Sequence, residues 1–167
     1  LPQPEKGAAL CRVLSVGVCG TDKHSYRGET VQYKGTENEI DLPFPIIQGH
    51  EIAMEIVAID EEAAQNLSFD GDYLNVVCGK CWYCKNMPSY PWCEHLQFSY
   101  GNMRSCNDGH HLYGGYAEYV YLEPGVRAYK IPDGLPNDLA CFTEVMCVAY
   151  TLEKAREFSS FDLEGFN

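Results

Sequence analysis

Cys78-Gly79-Lys80-Cys81-Trp82-Tyr83-Cys84 runs on, after eight intervening residues, to Cys93. Two-residue spacers let successive thiolates point inward from one tight loop, and the longer spacer lets a fourth return from a separate arm. Zinc takes four soft, deprotonated ligands at tetrahedral corners, about 2.3 Å from the metal. Cys78, Cys81, Cys84 and Cys93 therefore read as a structural zinc site. Gly79, Lys80, Lys85 and Asn86 suit the loop, and the lysines offset the charge of four thiolates on one Zn²⁺. The competing reading is a disulfide pair or unrelated thiols. Extracellular markers are absent, and three cysteines at two-residue spacing pair poorly with one another. A site with four protein ligands has no open position, so it stabilises fold and assembly and carries no catalysis.

Nine cysteines in all cannot pair completely, which also points away from a disulfide framework. The 167 residues, 46% hydrophobic and 22% charged, are one globular domain's worth of chain. Twelve basic against 24 acidic residues leave a formal charge of −12, which excludes a nucleic-acid partner. No apolar run reaches the roughly 18 residues of a membrane helix, so no membrane partner is expected either. The chain begins at Leu1 without a signal peptide, which suggests that an N-terminal piece is missing.

Outward from the cysteines, the chain reads as short strands and loops followed by one helix. Residues 8–18 are rich in Val, Leu and Ala and read as a strand running into a turn at Gly17–Gly20. Residues 23–41 are polar and carry Gly28, Gly35 and Asn38, which predicts a long surface loop. Residues 52–59 read as a strand interrupted by Glu55, and residues 60–72 as an acidic turn-rich stretch. The β-branched and aromatic residues of 115–122 predict another strand, and 129–132 a further short one. Leu139, Phe142, Met146, Ala149 and Leu152 recur at spacings of three and four, one face of a helix over roughly 137–158 that starts at Pro136-Asn137. Cys11 reads as core; His95, His110 and His111 read as surface-loop residues.

Cys19, His50 and Glu51 each stand near a glycine, and Glu144 stands among Cys141, Val145, Met146, Cys147 and Val148. A lone Cys or His is most often a packed core residue. A catalytic zinc, however, draws three ligands from Cys, His and carboxylate and leaves a fourth position open. Four strings in order, 16–24, 45–51, 78–84 and 114–120, resemble the zinc-dependent medium-chain alcohol/polyol dehydrogenase family over residues 8–158. The resemblance implies a mainly β fold with minor α: a GroES-like, partly open β-barrel with a zinc lobe and a C-terminal helix. Its expected boundaries are a catalytic domain at 1–136, with the lobe at 78–93, and a helix at 137–167 leading into a coenzyme domain.

The same resemblance implies roles residue by residue. Cys19 and His50 match catalytic zinc ligands, Glu51 a neighbouring glutamate that coordinates in some states, and Glu144 the third-ligand position. Thr21 matches the hydroxyl that bonds the substrate alcohol. His24 matches a relay passing its proton to solvent, and Asp22 an acid orienting the zinc histidine. Read on the residues alone, Thr21 and Asp22 equally close a turn after Gly20, His24 is an exposed loop residue and Glu144 a surface helix position. The chemistry agrees with the resemblance: at a zinc with one thiolate, one imidazole and one carboxylate, an alcohol oxygen is polarised, and the resulting alkoxide donates hydride to a nicotinamide.

No G-x-G-x-x-G occurs in the chain, so NAD or NADP would bind in a coenzyme domain beyond it, and the chain alone should be inactive. The expected whole is a cytoplasmic, homo-oligomeric enzyme with two zincs per chain, acting on an alcohol, polyol or sugar; Glu144 tilts this toward polyols or sugars. The alternative is a non-enzymatic, zinc-stabilised GroES-like module for binding or assembly. Two departures from the family pattern bear on local geometry: Met54 replaces a usual glycine, and only five residues separate Asp72 from Cys78.

Overall fold

A computed structural model describes residues 1–32, 34–37, 39–66, 75–76, 79–86, 93–94, 98–126 and 128–159. Strand β1 (Ala9–Val16) is central, between β4 (Ile52–Ile59) and β7 (Tyr119–Leu122), both antiparallel to it. Side chains on a strand alternate between faces. Ala9 and Cys11 accordingly join Tyr100, Tyr113, Val120 and Leu122 in one cluster, while Leu10 joins Ala8 and Tyr121 in another on the opposite face. Cys11 is wholly buried, and burial pushes its thiol up to about 12, so it is a core residue and not a ready metal ligand.

The β1–β4 ladder carries two irregularities. Leu10 pairs with Ala58 and Cys11 with Ile56, leaving Val57 as an extra residue on β4. Val13 pairs with Met54 and Ser15 with Ala53, leaving Leu14 as an extra residue on β1. Leu14 and Val57 are both exposed. Met54 packs against the first cluster, so the usual glycine's place is taken here by a contributing side chain.

Several expectations change. The surface loop at 23–41 is entered by helix α1 (Gly20–Tyr26), and β2 (Val31–Gln32) pairs with β3 (Ile40–Asp41). The buried residues of α1 are Asp22 and Ser25, so the helix has no apolar stripe for a periodicity reading to find. The acidic stretch opens with helix α2 (Glu61–Asn66), whose first turn is bonded by Asp60: its Oδ1 accepts the Glu62 N–H at 2.9 Å and the Gly7 N–H at 2.9 Å. In the stretch expected as a strand from 115, only Tyr119–Leu122 joins the sheet, because Gly115 and Tyr116 donate instead to the carbonyls of Gly49 and Gln48. Residues 129–132 form no strand; Ile131 packs against Ala53, Ala140 and Cys141. Short strands β5 (Asn75–Val76) and β6 (Phe98–Ser99) pair beside the cysteine lobe, which contains helix α3 (Trp82–Asn86).

The C-terminal helix is two helices, α4 (Asn137–Ala140) and α5 (Thr143–Ser159). The face that recurs at spacings of three and four is turned to solvent: Leu139, Phe142, Met146 and Leu152 are each more than half exposed. Contact with the sheet is made instead by Ala140 and Cys141, small side chains that let α4 approach β1 and β4 closely. No described helix is long and apolar enough to cross a membrane.

Candidate metal centre

The register of the sheet builds the centre. Val16 at the end of β1 pairs with Ile52 at the start of β4, and the Gly17 N–H donates to the Glu51 carbonyl at 2.8 Å. Cys19 leaves β1 three residues past that pair, while Glu51 and His50 arrive at β4 just before it. One ligand atom each from Cys19, His50 and Glu51 lies within 4.8 Å of the others. Ligands of a tetrahedral zinc stand roughly 3.3–3.8 Å apart, so modest side-chain adjustment brings this set onto one ion.

Asp22 is the hub behind these ligands. It is 3% exposed, and a buried carboxylate requires donors. Its Oδ2 accepts the Cys19 N–H at 2.9 Å, and its Oδ1 accepts the Gly49 N–H at 3.2 Å. His50 Nδ1 faces Oδ1 at 3.8 Å, beyond hydrogen-bond range, and this buried nitrogen finds no hydrogen-bond partner among the described residues. With Nδ1 turned to Asp22, the ring's other nitrogen, Nε2, is the one left to a metal. The donor set thus fits zinc: Cys19, His50 and Glu51 would hold it, and the acid at Asp22 stands where a zinc histidine's partner stands.

Glu144 occupies the first turn of α5 and is only partly exposed. Burial pushes its carboxyl above the ordinary range; His50 opposes that shift and the Glu51 charge adds to it. Its carboxylate feels both charges, yet it is not part of the tight Cys19–His50–Glu51 set. The apolar residues beside it in sequence, Val145, Met146 and Val148, are exposed, so they are not what covers it. Thr21 Oγ donates to Cys19 Sγ at 3.3 Å. His24 is exposed and its Nδ1 lies 2.7 Å from Glu29 Oε2.

In the lobe, single ligand atoms of Cys81, Cys84 and Cys93 cluster as a second candidate metal group. Cys81 and Cys84 stand 3.4 Å apart, sulfur to sulfur, well beyond the roughly 2.05 Å of a disulfide. No disulfide joins the described cysteines. Cys78, the expected fourth ligand, lies outside the described residues, as does His95.

Two residues of the centre escaped the sequence reading. Gly17 is one: a Cβ there would overlap Glu51 Oε2 and stand 3.0 Å from Glu51 Cβ, so only glycine leaves room for the carboxylate. Tyr116 is the other. Its O–H lies 3.0 Å from Asp22 Oδ2 and 3.2 Å from the Gly17 carbonyl, and its ring would lie 3.0 Å from a Cβ on Gly49. Its place in the fourth motif was visible, but nothing local joined it to residues 94 positions earlier. His110, expected in a surface loop, stacks on Tyr121 with ring centroids 3.9 Å apart.

An open antiparallel sheet whose central pair delivers thiol, imidazole and carboxylate from one end is the architecture of a GroES-like domain. The chain belongs to the zinc-dependent medium-chain dehydrogenases, and residues 5–133 match their alcohol dehydrogenase GroES-like domain. It is 32% identical over 149 residues to an L-threonine 3-dehydrogenase of Thermococcus kodakarensis, covering 86% of this chain and 37% of that one. An alcohol dehydrogenase from Thermotoga maritima superposes with a TM-score of 0.65 at 29% identity, over 86% of this chain and 38% of that one. A zinc-binding dehydrogenase from Sinorhizobium meliloti, solved with NADP, gives 0.64 at 27% identity, over 91% and 39%. The chain spans little more than a third of the length of the curated relatives it matches.

Proposed function

We propose that residues 1–136 form the catalytic domain of a zinc- and NAD(P)-dependent dehydrogenase, with residues 137–167 leading into a coenzyme domain. The carrying observation is the cluster of Cys19, His50 and Glu51 within 4.8 Å, with the buried Asp22 carboxylate behind His50. Bound zinc would supply Lewis-acid activation of an alcohol oxygen. Thr21 would orient the substrate hydroxyl beside Cys19, Asp22 would hold His50 in place, and Glu144 would serve as third ligand in place of Glu51, which leaves the fourth position to the alcohol oxygen. His24 and Glu29, paired at the surface, would take the proton at His24 to solvent. The substrate class is a secondary hydroxyl on a polyol, sugar or similar small molecule, a hydroxyl type that threonine also carries. The whole enzyme would be a cytoplasmic homo-oligomer with two zincs per chain, and this chain alone would not reduce NAD(P)⁺.

Metal analysis tests the reading. The chain refolded with zinc should hold two ions, and Cys19→Ser one. An equal content of one in both would favour the scaffold reading, in which only the cysteine lobe binds metal. Alcohol-dependent formation of NAD(P)H by the isolated chain would contradict the assignment of coenzyme binding elsewhere.

A further inference from the structure

We propose that Tyr116 is a positioning residue of the metal centre, acting through Asp22; this rests on the zinc reading given above. A phenol has one proton to donate, and two acceptors compete for it: Asp22 Oδ2 at 3.0 Å and the Gly17 carbonyl at 3.2 Å. The carboxylate is nearer and charged, so the bond to Asp22 is the stronger. Part of the side chain reaches solvent, yet its partial burial pushes the phenol above its ordinary pKa, and the bond to Asp22 and the Asp22 charge push it the same way. Tyr116 is therefore a neutral, committed donor.

The consequence lies in what Asp22 does with its remaining lone pairs. The same oxygen that takes the Tyr116 proton also accepts the backbone N–H of Cys19, and the other accepts Gly49 N–H and faces His50. A carboxylate has one torsion linking its plane to these partners. Fixing Oδ2 from the Tyr116 side fixes Oδ1 toward His50. Tyr116 is itself held: its backbone N–H bonds to the Gln48 carbonyl at 2.9 Å, and Gln48 Nε2 bonds to the Asp22 carbonyl at 3.2 Å. Other bonds already tie string 45–51 to both 16–24 and 114–120; the hydroxyl adds the side-chain link from 114–120 to the Asp22 carboxylate itself. A phenylalanine would keep the ring against Gly49 and lose only this link.

Cobalt titration, followed by thiolate-to-Co²⁺ absorption, tests the assignment. The difference between the chain and Cys19→Ser isolates the signal of the Cys19 centre from that of the lobe. Tyr116→Phe should weaken Co²⁺ binding at that centre by roughly tenfold, the low end of what outer partners of metal ligands contribute. In an Asp22→Asn background, Tyr116→Phe should cause no further loss, since the two act as one unit. A change under about twofold, or an undiminished loss in the Asp22→Asn background, would overturn the proposal. So would a lowered melting temperature with unchanged affinity, which is the mark of packing alone. If the chain and Cys19→Ser bind Co²⁺ identically, it is the zinc reading that has failed, and this inference falls with it.

Discussion

Glu51 occupies the volume that any side chain on Gly17 would need. An added methyl would drive the Glu51 carboxylate out of its place, and its approach to Glu51 Cβ at 3.0 Å would still require a shift of the backbone around it. Gly17→Ala should destabilise the fold by about 1–3 kcal/mol, the usual cost of overpacking, and should also remove metal from the Cys19 centre. Urea unfolding together with zinc content checks both; a normal metal load would mean that Glu51 is not a ligand.

Met54 packs against the buried cluster around Cys11 and Val120. Met54→Gly should therefore destabilise by about 2–3 kcal/mol, from lost burial and from the backbone entropy of a strand glycine. Chemical denaturation measures it, and a neutral or stabilising result would show the methionine to be merely tolerated.

Asp60 ties Gly7 to the start of α2, and the Gly7 N–H, opposed by burial and aided by the α2 amides, holds its carboxyl below the ordinary range. A depressed folded pKa gives stability that is present above the unfolded value, about 3.9, and lost as pH falls through the folded one. Asp60→Asn should thus lower the melting temperature at pH 7, and the gap to the unaltered chain should close toward pH 2–3. A gap independent of pH would point to geometry rather than charge.

Removal of metal from the lobe should unfold its loop. Chelation, or Cys84→Ser, should lower the melting temperature by roughly 10 °C, given about 4 kcal/mol of linkage at a thousandfold excess over Kd. Differential scanning calorimetry reads the shift; an unchanged melt would mean that Cys81, Cys84 and Cys93 do not stabilise the fold through metal.

Sequence patterning showed β1 and β4 because each is a run of apolar residues in a strand period, whereas Cys19, His50 and Glu51 were reached through the resemblance of four strings in order, each being on its own residue type alone an ordinary core or loop residue. It failed where other physics decided. Helix α1 buries polar Asp22 and Ser25, so it has no hydrophobic period. The α4–α5 stripe has the right spacing yet faces outward, because Ala140 and Cys141 make the close approach to the sheet. Tyr116 and Gly17 matter through contacts across 94 and 34 positions of chain, which no local pattern encodes.

The two extra residues in the β1–β4 ladder cancel one another: Val57 shifts the pairing by one position and Leu14 shifts it back. Both side chains are exposed, so neither is retained for packing. Each bulge bends its own strand locally, and with one on each strand the two run level again at the far end, where Val16 faces Ile52. That level finish is what lets a turn leaving one strand and a turn entering the other deliver Cys19, His50 and Glu51 to the same place.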